Sequence, residues 1–285
     1  MFLLFIDFWH LCLSVPIKQG SQRKAIARKL RLRGGLILVS VVAAWHAHAV
    51  AADITVLAAG AAKELVARIE TPFALATGHR IKATFDTVGA QRERVEKGER
   101  PDVVILSSAA IAQLNKLGLI DAASIRDIGD VQVGLAMIAN SNARDKSVPD
   151  ISTPEALRTT LLAAKSIAYA DPARGATAGA HFVKVLTALG IGDDVSQRTT
   201  VLPFGVEVIE AVAAGKYELG VSQSSEIVQH KGVRYLGALP PPYRLGTRYQ
   251  AAAIKDRASA ASLIEFLQTA AARDAMRASG FAAPE

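Results

Sequence analysis

The stretch KATFDTVGAQRERVEKGERPDVVILS, residues 82–107, decides the fold. Residues 82–86 have strand character, and the small, flexible corner TVGA at residues 87–90 opens an amphipathic helix. Gly98 closes that helix, and residues 103–106 form a continuous apolar run, typical of a strand that is covered on both faces. The stretch therefore predicts strand, turn, helix and strand, which is the repeating unit of a parallel α/β sheet.

The corner at residues 87–90 is a candidate ligand site. The first N–H groups of a helix have no backbone partner and carry the positive end of the helix dipole, so they can hold an anion without any charged side chain. The alternative interpretation is an ordinary connection between a strand and a helix, which any α/β protein contains.

The first 52 residues have the pattern of an export signal. A basic run precedes an apolar run of 12 residues at 34–45, and the small residues at 47–52 suit cleavage. A retained membrane anchor is the competing interpretation, but a spanning helix needs about 20 apolar residues. Residues 1–20 add a second apolar patch that a signal peptide does not use, and we interpret them as an extension from a wrongly assigned translation start.

The charge of the chain is nearly balanced once this leader is set aside. The whole sequence has 33 Lys and Arg against 26 Asp and Glu, and residues 1–52 hold 7 and 1 of these. The remaining residues contain 26 Lys and Arg against 25 Asp and Glu. This near balance removes the support for binding to nucleic acid or to a membrane surface. Cys12, the only cysteine, also lies in the leader, so the mature chain has no disulfide and no cysteine metal site. A protein of the bacterial periplasm fits best.

The rest of the chain alternates strands and helices in two groups, which predicts two α/β lobes with mainly parallel sheets. The predicted strands are residues 54–57, 82–86, 103–106, 131–139, 167–170, 199–202, 219–221, 233–239 and 249–254. The predicted helices include residues 64–76, 109–117, 178–189, 206–214 and 259–279, and a further helix begins near residue 153. We assign residues 53–132 and 246–285 to lobe I and residues 133–245 to lobe II.

Several blocks of sequence occur in a fixed order along the chain: ITVLAAGAAKELVARIETPF (54–73), TFDTVGAQRERVEKGERPDVVIL (84–106), DPARGATAGAHFVKVL (171–186) and ELGVSQSSEI (218–227). With these blocks the chain resembles the periplasmic molybdate-binding proteins of ABC importers. The resemblance implies a type II periplasmic-binding-protein fold, with two α/β lobes joined by crossing strands. It also implies a monomer without a cofactor that encloses a small anion by a hinge motion and delivers it to an ABC permease in the inner membrane.

The same resemblance places ligand contacts on particular positions of this chain. The first serine of the family motif falls on Ala61, beside Gly60, and the second falls on Val88, between Thr87 and Gly89. Backbone donors fall on Ala178 and Val206, and the family tyrosine falls on Gln223. Each charge-assisted hydrogen bond that is lost costs about 1–3 kcal/mol, so the altered side chains predict weaker molybdate binding than in the family.

Arg174 and Thr177, in the loop DPARGAT, are further candidate contacts. The guanidinium of arginine suits bidentate binding of a carboxylate, and the alternative for Arg174 is a solvated loop residue. Other polar groups near the predicted turns are Gln91, Arg92 and Ser224, while Tyr243, Arg244 and Arg248 lie near the return crossing. The histidines at 79, 181 and 230 lack metal-ligand spacing, and no metal site is expected.

Two functions of different class follow from the sequence. The first is a binding protein that delivers molybdate, a related oxyanion or a small carboxylate to an importer. The second is an enzyme on the same scaffold, since periplasmic aconitate isomerases resemble this branch of binding proteins. An allylic proton shift needs a general base, for which Asp86, Glu207 and His181 are candidates. The sequence lacks G-x-S-x-G, H-E-x-x-H and Walker motifs, and we favour the binding protein.

Overall fold

The structure is a computed structural model that describes residues 52–139 and 148–283. The predicted signal peptide and Cys12 lie outside the described residues, apart from Ala52. Within the described part of the chain, no helix is both long enough and apolar enough to span a membrane.

The predicted strands are confirmed, with small shifts at their ends. They are β1 (Asp53–Ala59), β2 (Arg80–Asp86), β3 (Val103–Ser107), β4 (Arg126–Ile138), β5 (Ile167–Ala170), β6 (Thr199–Leu202), β7 (Leu219–Gln223), β8 (Val233–Ala238) and β9 (Gly246–Ala253). The largest shift is in β4, which begins five residues earlier than predicted, because its first half pairs with β9 in spite of a polar sequence.

The predicted helices are also present, together with two short ones that the sequence pattern did not indicate. They are α1 (Lys63–Thr77), α2 (Val88–Glu96), α3 (Ser108–Lys116), α4 (Pro154–Ala163), α5 (Thr177–Ala188), α6 (Gly192–Ser196), α7 (Gly205–Ala213), α8 (Ser224–Ile227), α9 (Ala261–Phe266) and α10 (Ala270–Ala278). The unpredicted helices, α6 and α8, are too short to show a hydrophobic period.

The strands form a mixed arrangement in the order β2-β1-β3-β9-β4-β7-β5-β6, and β8 pairs with β4. Three strands are parallel at each end: β2, β1 and β3 at one, and β7, β5 and β6 at the other. Every pairing made by β4 and β9, the two strands that cross between the lobes, is antiparallel. The molecule is therefore a two-lobed α/β protein joined by crossing strands.

Each lobe has its own apolar core. Phe73, Ile105 and Leu114 belong to the core of lobe I, and the C-terminal helices α9 and α10 pack onto it through Leu263 and Met276. The core of lobe II is formed by two adjoining clusters, the larger built around residues such as Leu135, Leu157, Phe182 and Val221. Along β4, Val131 belongs to the first core and Val133 to a core of the second lobe.

The helices differ in whether a side chain caps their first turn, and this difference affects the site. At α2, α3, α4 and α10, the side chain of the residue before the helix accepts a hydrogen bond from a first-turn N–H. The residues before α5 and α7 are Ala176 and Phe204, which provide no such cap. The first N–H groups of α5 and α7 are consequently left free of side-chain partners.

Candidate functional site

A cavity of about 280 Å³ lies between the two lobes. Its walls come from the segments that follow the strands, where helices begin, because this is where the carboxyl ends of the parallel strands meet the cleft. It is lined by Ala59, Gly60, Ala61, Lys63, Phe85, Asp86, Thr87, Val88, Ala170, Ala176, Thr177, Ala178, Phe204, Gly205, Val206, Glu207, Glu210, Ser222, Gln223, Glu226 and Tyr249.

Eight of the ten residues predicted from the sequence line this cavity. They are Gly60, Ala61, Thr87, Val88, Thr177, Ala178, Val206 and Gln223. Residues from both lobes are thus brought to one place although more than 140 positions separate Gly60 from Val206 in the sequence. Whether they contact a ligand stays a prediction.

Three helices begin at the wall of the cavity. Val88 begins α2 in lobe I, while Thr177 begins α5 and Gly205 begins α7 in lobe II. The uncapped first turns of α5 and α7 present backbone N–H groups and the positive ends of two helix dipoles. A small anion between these helix starts would find hydrogen-bond donors that do not depend on side-chain identity.

The other two predicted residues, Gly89 and Arg174, lie where the lobes touch beside the cavity and are not among its lining residues. The N–H of Gly89 donates to the carbonyl of Gly175 at 3.3 Å, and the Thr87 hydroxyl donates to the carbonyl of Arg174. The Arg174 guanidinium pairs with Asp86 and lies 5.0 Å from the centre of the Phe204 ring. In this arrangement Arg174 holds the lobes together, and its role as a ligand contact stays a prediction.

Glu226 is a cavity residue that the sequence reasoning missed. Its carboxylate accepts hydrogen bonds from the Ser222 hydroxyl and from the N–H of Gln223, which also places it in a capping box at the start of α8. Burial raises the pKa of Glu226, and these two hydrogen bonds offset only part of the effect. The signal in the sequence was the spacing Gln223-x-x-Glu226, the polar pattern of a helix start.

A second polar group on the cavity wall is the amide of Gln223, which is only 4% exposed. Its nitrogen lies 3.4 Å from the hydroxyl of Thr247, and its side chain also takes part in the capping box at the start of α8. Nearby, burial first and the charge of Glu226 second raise the pKa of Tyr249, so this phenol stays protonated. Gln223 and Tyr249 therefore form a buried polar part of the cavity wall.

The three candidate bases lie in different surroundings. Asp86 lines the cavity but is paired with Arg174, and Glu207 lines it in the first turn of α7. The ring of His181 lies outside, with its Nε2 atom 2.7 Å from the carbonyl of Tyr243. In the part of the chain that the structure describes, no group of three or more His, Cys, Asp or Glu is placed to hold a metal ion.

Further polar residues singled out in the sequence are engaged elsewhere. Arg92 pairs with Glu96 along its own helix, and Arg248 pairs with Asp130 across the crossing strands. Gln91 is fully buried, and its amide nitrogen donates to the carbonyl oxygens of Ala58 and Thr84. Its contacts tie α2 to the neighbouring strands and so fix the position of the corner at Thr87.

Two α/β lobes that are joined by crossing strands and enclose a cavity at their helix starts define the class of two-lobed type II periplasmic binding proteins. A family model for bacterial extracellular solute-binding proteins matches residues 54–282, and the chain belongs to that family. The predicted resemblance to solute-binding proteins of this fold is confirmed.

The names of individual relatives differ in the compound that each protein binds or converts. Over 232 residues the chain is 27% identical to an aconitate isomerase from a Pseudomonas species, which covers 79% of this chain and 84% of the relative. The periplasmic molybdate-binding protein of Azotobacter vinelandii has a similar structure, with a TM-score of 0.67 and 19% identity over 81% of this chain and all of that one. The sulfate-binding protein SubI of Mycobacterium tuberculosis has a TM-score of 0.60 and 18% identity, covering 81% and 86% of the two chains.

Proposed function

We propose that this protein is the periplasmic substrate-binding component of an ABC importer and that it captures a small anion in the cavity between its lobes. The observation that supports the proposal is the pair of uncapped helix starts, α5 and α7, which face the cavity together with the start of α2. The positive ends of α5 and α7, with the capped start of α2 beside them, favour a negative charge there. The ligand would then pass to a permease in the inner membrane.

The cavity offers more room than a tetrahedral oxyanion requires. Its volume of about 280 Å³ corresponds to roughly nine times the ~30 Å³ that a water molecule occupies in the liquid. A small organic acid therefore fits the cavity, and molybdate or sulfate would need accompanying water. Among these candidates we propose a small carboxylate first and an oxyanion second.

The test is a thermal-shift screen followed by calorimetry. The panel contains molybdate, tungstate, sulfate, phosphate, citrate and both isomers of aconitate, with putrescine and glucose as a cation and a neutral compound. A ligand that binds only the folded state stabilises it by RT ln(1 + [L]/Kd), which is about 4 kcal/mol at a thousandfold excess over Kd. Stabilisation by one class of anion supports the proposal, and stabilisation by putrescine or glucose alone would reject it.

A second candidate function is isomerisation of aconitate on the same scaffold. The observation in its favour is the 27% identity with an aconitate isomerase along most of both chains. Glu207 is the candidate base that suits this reaction best, since it lines the cavity and has no ion-pair partner among the described residues, whereas Asp86 is held by Arg174.

Proton NMR distinguishes the two functions. An isomerase would interconvert cis- and trans-aconitate in D₂O and incorporate deuterium at the carbon that gains the proton, and Glu207→Gln would abolish this turnover. A transport protein would be stabilised by aconitate or another anion without any change in the ligand. Interconversion by the unaltered protein at a rate above that of buffer alone would make the enzyme the better description.

A further inference from the structure

We propose that Glu226 is a specificity-determining residue that binds the captured anion as a neutral carboxylic acid, with its Oε1 atom donating a hydrogen bond to the ligand. The inference rests on the proposed function, because it assumes that the ligand of the cavity is an anion. Capture of the anion would then require a proton on this one side chain of the cavity wall.

The two carboxyl oxygens of Glu226 have different surroundings. Oε2 accepts from the hydroxyl of Ser222 and, at 3.3 Å, from the N–H of Gln223. Oε1 has no hydrogen-bond donor among the described residues and faces Gly60 of the opposite lobe, where an added Cβ would lie only 2.8 Å away. When Oε2 acts as the acceptor, the proton of a neutral acid resides on Oε1, which is the oxygen without a protein donor.

Glycines on both sides make room for this carboxyl group. Gly60 lies against Oε1 from lobe I, and Gly205 lies against Oε2 and the Ser222 hydroxyl from the start of α7. A larger residue at either position would displace the carboxyl from the cavity wall. The group is thus held between the two lobes, in the space where a bound anion is expected.

An ionised Glu226 would have no positively charged side chain as an ion-pair partner among the described residues. The ionisable groups on or beside the elements packed against α8 are Glu207 and Glu210 on α7, Lys63 after Gly60–Ala62, Arg126, Asp127 and Asp130 on β4, and Arg234 and Tyr235 on β8. Tyr249, on β9, also interacts electrostatically with Glu226. Asp130 is paired with Arg248 of β9.

An ionised Glu226 would place a second negative charge beside the anion in a space with little water. Burial already raises the pKa of this carboxyl group. An anion nearby raises it further, because like charges disfavour ionisation. Binding of the anion therefore favours the protonated form of Glu226. The hydrogen bond that this acid donates replaces part of what the altered serine positions lack.

The alternative is a purely structural role, in which ionised Glu226 caps the first turn of α8. The first measurement is a titration of the ligand-free protein by carbon-detected NMR with labelled glutamate, using Glu226→Gln to assign the signal. We expect a midpoint above the usual glutamate value of about 4.3. A midpoint at or below that value would overturn the proposal in favour of the structural role.

The second measurement is calorimetry with sulfate, molybdate and cis-aconitate between pH 6 and pH 9, in buffers of different ionisation enthalpy. Above the midpoint, affinity of the unaltered protein should fall about tenfold per pH unit, with up to one proton taken up per anion bound. Glu226→Gln, which stays neutral and still donates a hydrogen bond, should bind independently of pH, and Glu226→Ala should bind at least tenfold more weakly. The control is Glu155→Gln, on α4 and away from the cavity, which should retain the pH dependence.

Binding by the unaltered protein that does not change with pH, together with equal losses in the Gln and Ala variants, would overturn the proposal. Failure of all three probes to bind would instead contradict the proposed function, and the NMR titration would then decide the protonation of Glu226 by itself. The two failures are therefore distinguishable.

Discussion

The Nη2 atom of Arg174 in lobe II donates to both carboxylate oxygens of Asp86 in lobe I, at 2.9 Å each. The same loop supplies two backbone acceptors to lobe I, the carbonyls of Arg174 and Gly175. This set of contacts, which we call the latch, joins the two lobes at one side of the cleft. Its strength must influence how readily the lobes separate.

The first prediction concerns the ion pair of the latch. Arg174→Ala should favour separated lobes and weaken anion binding about fivefold, because a partly exposed ion pair contributes up to about 1 kcal/mol. Small-angle scattering should detect a larger radius of gyration in the ligand-free variant. Arg94→Ala is the matched control, since Arg94 pairs with Glu99 within lobe I and should change neither quantity. Equal scattering by both variants would show that the pair does not hold the lobes.

The second prediction concerns the close approach of two glycines. A Cβ at Gly89 would lie 2.7 Å from the Cα of Gly175 and 2.9 Å from the carbonyl oxygen of Arg174, and backbone atoms cannot yield as a flexible side chain can. Gly89→Ala should therefore keep the lobes apart and weaken anion binding more than Arg174→Ala does. Gly192→Ala is the control because a Cβ there meets nothing within 4 Å. If the Gly89→Ala variant closes its lobes and binds the anion as the Gly192→Ala control does, the prediction is contradicted.

The third prediction tests the backbone donors. Ala178→Pro and Val206→Pro each remove an N–H from an uncapped first turn, where proline is sterically tolerated, and should lower anion affinity about tenfold or more. Ala178→Ser keeps the N–H and should bind normally. Ala271→Pro, in the first turn of α10 away from the cavity, controls for the effect of proline on folding. Calorimetry with the best anion of the screen measures the difference, and unchanged affinity in both cavity variants would exclude these N–H groups as ligand contacts.

The fourth prediction concerns a carboxylate that supports lobe I. Asp102 is buried, but hydrogen bonds from the Ser259 hydroxyl and from the hydroxyl and N–H of Thr55 outweigh burial and lower its pKa. Asp102→Asn should destabilise the protein by about 2–3 kcal/mol at pH 7. A lowered pKa stabilises the fold above the unfolded value and loses that effect below it, so the difference should shrink as the pH falls below about 4.

Urea denaturation of the unaltered protein and of the Asp102→Asn variant at pH 7 and at pH 3.5 measures this difference. Asp53→Asn, which removes an exposed pair with Lys82, should have little effect at either pH. A loss of stability in Asp102→Asn that is equal at both pH values would mean that packing, and not ionisation, determines the loss.

The fifth prediction concerns ligand choice. Ala61 and Val88 both line the cavity at the positions where the resemblance expects serine. The double variant Ala61→Ser with Val88→Ser should bind molybdate up to about a hundredfold more tightly, because each added charge-assisted hydrogen bond contributes about 1.5 kcal/mol. An unchanged molybdate affinity would show that the hydroxyl groups do not reach the ligand in this cavity.

Most of the fold could be predicted from sequence because its signals are local. Apolar runs such as residues 103–106 and glycine stops such as Gly78 mark the limits of strands and helices. The long strand β4 was shortened in the prediction because its first half, RDIGD, gains its strand structure from pairing with β9 and not from its own composition. Such non-local pairing leaves no periodic signal in a single sequence.

The candidate site could be predicted only in part, for a similar reason. Ordered blocks of sequence indicated the helix starts, and eight of the ten residues predicted to bind a ligand line the cavity. Arg174 was predicted as a ligand contact because an arginine near a cleft suits an anion, but its partner Asp86 lies 88 residues away and only the folded chain brings them together. Glu226 was missed because nothing in its neighbours along the chain reveals that it is buried beside Gly60 of the other lobe.

The antiparallel pairing of β4 with β9 has a mechanical consequence. Two hydrogen-bonded strands resist being pulled apart and resist sliding, whereas a ribbon of two strands bends and twists with little resistance. We therefore expect relative motion of the lobes to be a rotation about this ribbon. The register of the two strands is kept during such a rotation, so no strand pairing has to form again when the lobes move.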